Sequence, residues 1–422
     1  MKNRLRILDP GKIKLVKNTF FLYILVFSGY FFSLITVPYQ TRVLGPELFG
    51  KIGWAVATMS YFALVLDFGY MLSATETIAR HRDDKEKVEE IVGAVTINKM
   101  LFALGGLIIV AIMAFGWSKM NDDPWFYILC YLSTASGSFL LDFLYRGIEE
   151  MQVITIRSVV IRAFFTVCIF IFLREEADYW VIPALDLAGG ILAIAFVYWH
   201  MIHKLKYRFV IPSRDVCLEV LKYSSSFFYS RIASTIYTST NVFLLGFIYA
   251  PLSVPMGAYS SADKIFNLMK VGFGPIADSL YPYMVRNQDF KLLKKILIIF
   301  MPLTILVAAI IAWFAEPICI LILGERFTAT APLLQLMMPI FVITLPIYLL
   351  GFPTLSPLGA AHAVNQSVIV ASVVHVVMLV ALFASGTLTV KTVIVATFIT
   401  ECVMLIYRIV AIFKYRHGKA RA

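Results

Sequence analysis

The sequence predicts an all-α integral membrane protein, and three observations support this prediction. Of the 422 residues, 60% are hydrophobic and only 15% are charged, whereas soluble proteins carry about 25% charged residues. The apolar residues fall in blocks of about 20, the length of helix that crosses a bilayer core of about 30 Å. Blocks of about ten alternating residues, which are typical of a membrane β-barrel, do not occur.

Twelve apolar blocks predict about twelve transmembrane helices. They cover residues 18–38, 49–72, 93–115, 125–145, 156–173, 179–201, 223–248, 256–284, 296–315, 331–351, 363–385 and 390–412. Of these spans, 256–284 has the weakest hydropathy signal, because polar and charged residues interrupt it. An even number of spans places both chain termini on the same side of the membrane.

Lysine and arginine are concentrated in the two tails and in alternate loops, and this asymmetry predicts the orientation. One side holds Lys2, Arg4, Arg6, Lys12, Lys14, Lys17, Arg80, Arg82, Lys85, Lys87, Arg146, Arg157, Lys204, Lys206, Arg208, Arg214, Arg286, Lys291, Lys294, Lys295, Lys414, Arg416, Lys419 and Arg421. The opposite loops hold only Arg42, Lys51, Lys119, Arg174, Arg326 and Lys391. We therefore expect both termini in the cytoplasm. Most of the net charge of +11 then serves to orient the chain in the membrane, and some of it attracts anionic membrane lipids. It does not indicate nucleic-acid binding.

The sequence lacks the signatures of common enzyme and cofactor sites. It contains no GxxxxGK[ST] phosphate loop, no HExxH and no GxSxG. Its cysteines and histidines are scattered, so neither a metal site nor a disulfide framework is indicated. His375, alone in the eleventh span, is predicted to be a packed polar residue. Because the predicted external loops are short, we expect a transporter or flippase without cofactors rather than an enzyme.

The chain divides into two halves at a long basic loop. We predict an N-terminal six-helix lobe at 1–202, a cytoplasmic linker at 203–222 and a C-terminal six-helix lobe at 223–422. The segments Arg42–Ala55 ("RVLGPELFGKIGWA") and Phe243–Ala262 ("FLLGFIYAPLSVPMGAYSSA") share a Leu-Gly, a following Pro and a later Gly. Both halves begin inside, so this repeat is parallel. It predicts two pseudo-symmetric six-helix bundles around a central cavity.

The eighth span carries an unusual line of polar residues. On a helix, residues three or four apart share a face, and this spacing joins Ser260, Asp263, Asn267, Lys270, Gly274, Asp278 and Tyr281. Lys264 lies beside this polar stripe. A Lys or Asp that faces lipid at mid-depth costs about 2.5–3.5 kcal/mol. The stripe is therefore predicted to line a hydrated cavity or to meet polar partners.

Other predicted spans also contain charged residues: Asp67, Asp142, Asp186, Arg231 and Glu401. Arg and Lys suit a phosphate or pyrophosphate, so one hypothesis is a cationic cavity for an anionic substrate, with Tyr229, Tyr237 and Tyr259 as aromatic candidates on the cavity side. The acids would then balance the cations or take up H⁺ or Na⁺. The alternative interpretation is that these residues form ion pairs between helices that only fix the packing.

The segment Val37–Val88 resembles the Wzx family of O-antigen flippases. The resemblance lies in the runs Pro-Tyr-x-x-Arg-x-Leu-Gly-Pro-x-x-Phe-Gly and Ala-Thr-x-x-Ile-Ala-Arg, and further on in "GAYSSADKI". It implies a flippase that moves undecaprenyl-pyrophosphate-linked oligosaccharide repeat units from the cytoplasmic to the periplasmic leaflet of a bacterial inner membrane. A cation-lined cavity, ion coupling and a polysaccharide polymerase and chain-length regulator as partners are implied with it.

The candidate residues follow from the charge pattern and from this resemblance. We expect substrate binding at Arg231, Lys264, Lys270, Asn267 and the motif position Arg42. We expect ion coupling or charge balance at Asp263, Asp278, Asp67, Asp142 and Glu401. Competing hypotheses are a multidrug or small-cation extruder of the same superfamily, a flippase for the peptidoglycan lipid precursor, and an enzyme that polymerises or ligates lipid-linked sugars. The second usually carries two additional spans, and short external loops disfavour the enzyme.

Overall fold

The computed structural model describes residues 10–419, and it describes side chains at 17–229, 231, 232 and 239–416. All regular structure within these residues is helical. The helices are α1 (Pro10–Asp67), α2 (Tyr70–Arg80), α3 (Lys85–Gly116), α4 (Pro124–Ser138), α5 (Asp142–Gly147), α6 (Met151–Phe172), α7 (Val181–His203), α8 (Arg214–Ile248), α9 (Val254–Lys270), α10 (Phe273–Asn287), α11 (Phe290–Trp313), α12 (Ala315–Leu323), α13 (Ala331–Leu349), α14 (Phe352–Leu355), α15 (Ala361–Ala384) and α16 (Val390–Lys419). Short 3-10 turns cover Glu176–Trp180 and Glu325–Thr330.

Helices occupy every position at which the sequence predicts a span, so the predicted fold class is confirmed. Nine stretches of the described residues are long and apolar enough to cross a membrane. The first of these covers two predicted spans, because α1 continues through a sharp kink at Gly45, where φ is 70° and ψ is 175°. A residue other than glycine rarely adopts this φ. The number of crossings and the two-fold symmetry stay predictions.

Three predicted spans are broken helices. The span 49–72 is interrupted between α1 and α2, where Phe68 and Gly69 both have positive φ. The span 256–284 separates into α9 and α10, because Pro275 has no N–H to donate to the Val271 carbonyl and so interrupts the helical ladder. The span 125–145 separates into α4 and α5. At the end of α4, Lys99 Nζ donates a hydrogen bond of 2.7 Å to the Ser138 carbonyl. A cation at this position satisfies an end carbonyl and complements the helix dipole.

The described helices belong to two compact units. One comprises Met1–Val43 and Ala55–Ile232, and the other comprises Leu44–Trp54 and Ala233–Ala422. The predicted linker, 203–222, packs within the first unit, and the first part of α8 belongs there too. The predicted lobe boundaries stay a prediction.

The core of the first unit is a cluster contributed by α2, α3, α5, α6 and α7. Its buried side chains include Tyr70, Ile78, Val92, Tyr145 and Val197. The Tyr145 hydroxyl donates to the Val197 carbonyl at 3.1 Å, which ties α5 to α7. This packing fixes the start of α5, where Asp142 lies.

In the second unit, the segment Leu44–Trp54 packs against the start of α9. A Cβ added at Gly50 would lie 2.6 Å from the Gly257 backbone nitrogen, and a Cβ at Gly257 would overlap the Pro46 carbonyl. Trp54 Nε1 donates to the Phe243 carbonyl at 3.1 Å and anchors the end of the segment. Gly50 and Gly257 hold matching positions in the predicted repeat, so the two repeat copies touch at these glycines.

Candidate functional site

Lys270 and Glu401 form an ion pair inside the second unit. Lys270 is the last residue of α9, and its Nζ lies 3.6 Å from Glu401 Oε1 on α16. The side chains are 20% and 5% exposed, respectively. The Lys270 ammonium also lies 5.1 Å from the centre of the Phe266 ring. The attraction within such a pair recovers part of the cost of removing both charges from water, and removal of one partner leaves the other charge uncompensated.

The rest of the polar stripe is accessible only from Asp263 onwards, because Ser260 at its start is buried. Asn267 Nδ2 donates to Asp263 Oδ2 at 3.0 Å, with Asp263 half-buried and Asn267 exposed. Ile265 and Phe266 are buried, so the apolar side of α9 packs within the unit. The candidates Lys264 and Asp278 are exposed. The helical spacing therefore groups the accessible polar residues of α9 and α10, with the buried Ser260 as the exception.

Arg231 and Asp67 face each other in the first unit. Arg231 Nε lies 3.9 Å from Asp67 Oδ2, and the side chains are 43% and 20% exposed. Asp67 ends α1, and its Oδ1 accepts a hydrogen bond of 3.3 Å from the Met71 backbone N–H. The contact is at the long end of the range for an ion pair, and part of the Arg231 side chain stays exposed.

Asp142 has a closer partner that the sequence analysis assigned to a loop. Arg157 lies on α6 and is buried, and its Nη1 donates to Asp142 Oδ1 at 2.8 Å. Nη2 contacts the second carboxylate oxygen at 3.4 Å, which makes the pair bidentate. For Asp142 this geometry favours the interpretation as a packing ion pair between α5 and α6.

The remaining candidates are not part of these pairs. Arg42 on α1 and Asp186 on α7 are exposed. Of the aromatic candidates, Tyr229 is 69% exposed, whereas Tyr259 is 2% exposed and so presents no ring face to a sugar. The side chain of Tyr237 lies outside the described residues.

Two buried cations within predicted spans were missed by the sequence analysis. Lys99, on α3, lies 5.5 Å from the centre of the Phe143 ring in addition to its bond with Ser138. Arg408, on α16, donates to Ser367 Oγ at 3.0 Å and to the Ile347 carbonyl. The insertion cost that singled out Lys270 applies equally to these two residues, so the signal was present in the sequence.

His375 joins three helices through hydrogen bonds. Its Nε2 lies 2.8 Å from Asn241 Oδ1 on α8, and its Nδ1 lies 2.9 Å from Thr400 Oγ1 on α16. Asn241 Nδ2 in turn donates to Thr397 Oγ1 at 3.0 Å. His375 is buried, which agrees with the predicted packed polar residue. Thr400 precedes Glu401, so this network holds the part of α16 that carries the Lys270 partner.

The first unit also contains a cavity of about 580 Å³ bordered by α2, α3 and α8. Its lining includes Arg80, Lys87 and Glu219. Arg80 pairs with Glu76, and Lys87 pairs with Glu90 at 3.2 Å. The predicted site residues lie elsewhere than in this lining.

The helices and the charges within them define a multi-pass helical membrane protein, and its fold is that of a transporter superfamily. The structure aligns with an inward-facing multidrug resistance MATE transporter of the MOP superfamily at a TM-score of 0.69 and 16% sequence identity. The alignment covers 92% of this chain and 95% of the transporter. The inward closed lipid II flippase MurJ covers 94% and 87%, with 14% identity and a TM-score of 0.65. At these identities the likeness shows the fold alone.

The chain belongs to the polysaccharide biosynthesis protein family, whose model matches residues 15–288. A protein named "Putative O-antigen transporter" from Escherichia coli K12 is 29% identical over 304 residues, covering 71% of this chain and 72% of the relative. A protein of the same name from Shigella dysenteriae is 24% identical over 364 residues, covering 85% and 90%. The family resemblance noted in Val37–Val88 is thereby confirmed.

Proposed function

We propose that this chain is a flippase for undecaprenyl-pyrophosphate-linked oligosaccharide repeat units. It moves them from the cytoplasmic to the periplasmic leaflet of a bacterial inner membrane by alternating access, with both termini in the cytoplasm. The family and the relatives named O-antigen transporters support the substrate class. The fold shared with a lipid II flippase supports the type of transport.

The Lys270–Glu401 pair is the observation that carries this proposal. Both residues lie in predicted spans, where a charge is costly and is usually retained for a function. Lys270 follows Asn267 by about one helical turn within the polar stripe, and Asn267 is exposed. A pyrophosphate oxygen is an anionic acceptor like a carboxylate oxygen, so it can replace Glu401 as the partner of the Lys270 ammonium.

Each unit contains further cations that are candidates for contact with the substrate. A pyrophosphate carries more than one negative charge, so a single ammonium leaves it only partly balanced. Lys264 is exposed one residue after Asp263, and Arg231 is 43% exposed beside Asp67. Arg42 remains a candidate because of its place in the family motif, and its side chain is exposed.

Coupling to an ion follows from the same pair. When substrate takes Lys270, Glu401 becomes a buried carboxylate without its cation and is then expected to take up H⁺ or Na⁺. Asp263, which accepts from Asn267, is the second candidate for this step. In the outward-facing state Glu401 takes up this ion from the periplasm while substrate still occupies Lys270. After substrate has left, re-formation of the Lys270–Glu401 pair in the inward-facing state releases the ion to the cytoplasm, so an inward ion gradient drives outward transport.

The second candidate function is a multidrug or small-cation extruder, because a MATE transporter shares the fold at a TM-score of 0.69. A cationic drug requires a site dominated by acids. Here the accessible charges are mixed, since Lys264 and Asp278 are both exposed, and Glu401 and Asp67 have cationic neighbours. These described residues do not form a site dominated by acids, which favours the flippase.

Deletion and complementation test the proposal. Loss of the gene should abolish surface polysaccharide and cause lipid-linked repeat units to accumulate inside the cell, and the wild-type gene should reverse both effects. A strain that keeps its surface polysaccharide but becomes sensitive to cationic drugs would contradict the flippase and support the extruder.

A further inference from the structure

A basic groove of about 550 Å³ lies at one end of the first unit, away from the residues discussed above. Two segments that are distant in the chain form it: the start of α3 and the segment between α7 and α8. Its lining consists of Lys85, Ile202, Lys206, Tyr207, Arg208 and Phe209. Among the described residues, this lining contains three cations and no acid, so the groove is complementary to an anion.

The segment that forms the groove is docked onto α3 rather than loose. Glu89 Oε1 accepts a hydrogen bond of 2.7 Å from the Arg208 backbone N–H. Gly93 allows close approach, since a Cβ there would overlap the Val210 carbonyl and lie 2.9 Å from Pro212 Cδ. These contacts hold the backbone of the segment in place. A ligand that binds here has to order only side chains, which lowers the entropic cost of binding.

Tyr207 contributes to the groove in two ways. Lys85 Nζ lies 5.6 Å from the centre of its ring, a cation–π contact that brings the two segments together. Burial, followed by the nearby charges of Glu89 and Asp83, raises the pKa of the Tyr207 phenol above its ordinary value of 10.0. The phenol therefore keeps its proton at neutral pH and remains a hydrogen-bond donor for an anion.

Tryptophans place the groove at the depth of lipid head groups. Trp180 and Trp199 are 52% and 48% exposed near the two ends of α7. They are separated by 19 residues, which is about 28 Å along a helix and matches the thickness of the bilayer core. Exposed tryptophans prefer the two membrane interfaces. The groove follows directly after the end of α7 and so lies just beyond the interface that Trp199 marks.

The groove combines charge with apolar surface. In the segment 204–211, the cations Lys204, Lys206 and Arg208 alternate with the apolar or aromatic residues Leu205, Tyr207, Phe209 and Ile211. Ile202, Phe209 and Ile211 are 43%, 41% and 78% exposed. A ligand with a phosphate group joined to acyl chains satisfies both kinds of surface, whereas a free anion uses only the cations.

We propose that this groove binds the phosphate head group of an anionic glycerophospholipid from the cytoplasmic leaflet. Lys85, Lys206 and Arg208 contact the phosphate, and Ile202 and Phe209 contact the first part of the acyl chains. Basic clusters immediately cytoplasmic of a transmembrane helix bind anionic lipids in this way. The site does not depend on the proposed flippase activity.

Lipid binding to the purified full-length protein tests the proposal. The protein is titrated with phosphatidylglycerol or with phosphatidylcholine, and bound lipid is counted by native mass spectrometry. We expect the wild type to prefer phosphatidylglycerol. The groove variant, Lys85→Gln, Lys206→Gln and Arg208→Gln together, is expected to bind phosphatidylglycerol at least tenfold more weakly, with phosphatidylcholine binding unchanged.

A charge-matched variant provides the control. Lys291→Gln, Lys294→Gln and Lys295→Gln together remove three exposed cations of α11, which are predicted to lie on the same side of the membrane. This variant should bind phosphatidylglycerol like the wild type. Equal losses in both variants, or no loss in the groove variant, would overturn the proposal. The proposal would also be overturned if the groove variant lost binding of undecaprenyl pyrophosphate but kept binding of phosphatidylglycerol. The ligand of the groove would then be the transport substrate.

Discussion

Lys270 and Glu401 meet at 3.6 Å, and each is the central residue of its predicted span, 256–284 and 390–412. Two opposite charges at the centre of two spans are costly to insert separately and are stabilised when they meet. The pair therefore joins α9 to α16 at the middle of two predicted spans. This position makes it the first target for substitution.

Lys270→Ala is expected to abolish surface polysaccharide in a complemented deletion strain. The substitution removes the proposed pyrophosphate partner and leaves Glu401 buried without its cation. Loss of one partner of a buried pair costs about 3–5 kcal/mol of folding stability, so the amount of protein in the membrane has to be measured alongside polysaccharide. Lys291→Ala, which removes an exposed lysine at the start of α11, is the matched control and should leave both unchanged.

The double variant Lys270→Met, Glu401→Leu separates binding from packing. Replacing both charges by apolar residues of similar size should return the membrane level towards that of the wild type. If Lys270 binds substrate, polysaccharide stays absent although the protein is present. Recovery of polysaccharide in the double variant would show that the pair has only a structural role.

Glu401→Gln is expected to uncouple transport from the ion gradient. In vesicles containing the wild-type protein, collapse of the proton gradient should slow flipping of a fluorescent lipid-linked oligosaccharide if Glu401 takes up H⁺. A glutamine side chain does not take up a proton near neutral pH. The flipping rate of the Glu401→Gln variant should therefore be the same with and without the gradient. A wild-type rate that does not respond to either a H⁺ or a Na⁺ gradient would remove the coupling role of Glu401.

Arg157→Met is expected to destabilise the protein by about 3 kcal/mol, because it leaves Asp142 without its bidentate partner. The measurement is thermal unfolding in detergent. The double variant Asp142→Leu, Arg157→Met should recover most of the lost stability and should transport normally per folded molecule. If the double variant is stable and still does not transport, Asp142 has a functional role beyond packing.

Gly257→Ala is expected to lower the stability by about 1–3 kcal/mol through overpacking. The new methyl group would overlap the Pro46 carbonyl, which belongs to backbone that cannot move aside alone. Gly274→Ala is the control, because a Cβ at Gly274 has no neighbour within 4 Å. Equal unfolding temperatures for the two variants would contradict the close contact between Leu44–Trp54 and α9.

The helix positions could be predicted from the sequence because apolar blocks of about 20 residues have few alternatives in a membrane. The breaks could not be predicted by hydropathy, which averages over the residues around Ser138 and Val271. Pro275 nevertheless carried the information for one break, since a missing N–H interrupts a helix locally. The break after Ser138 depends on Lys99, which reaches it from another helix.

The polar stripe was predictable because residues on one helix share a face by spacing alone. The ion-pair partners were not, because Lys270 and Glu401 lie far apart in the chain and only tertiary packing brings them together. Arg157 was assigned to a loop, although its helix begins at Met151 and buries it. The buried cations Lys99 and Arg408 could have been predicted from the sequence, because a charge in a span is as costly to insert there as at Lys270.

The joint between α9 and α10 begins one residue after Lys270. Pro275 leaves the Val271 carbonyl without its helical donor, so the rod is weakest just beyond the cation. Ile265, Phe266 and Lys270 all precede this weak turn, so a change in the direction of α10 leaves the ammonium group beside Glu401. The ion pair is thereby insulated from movements of the second half of this span.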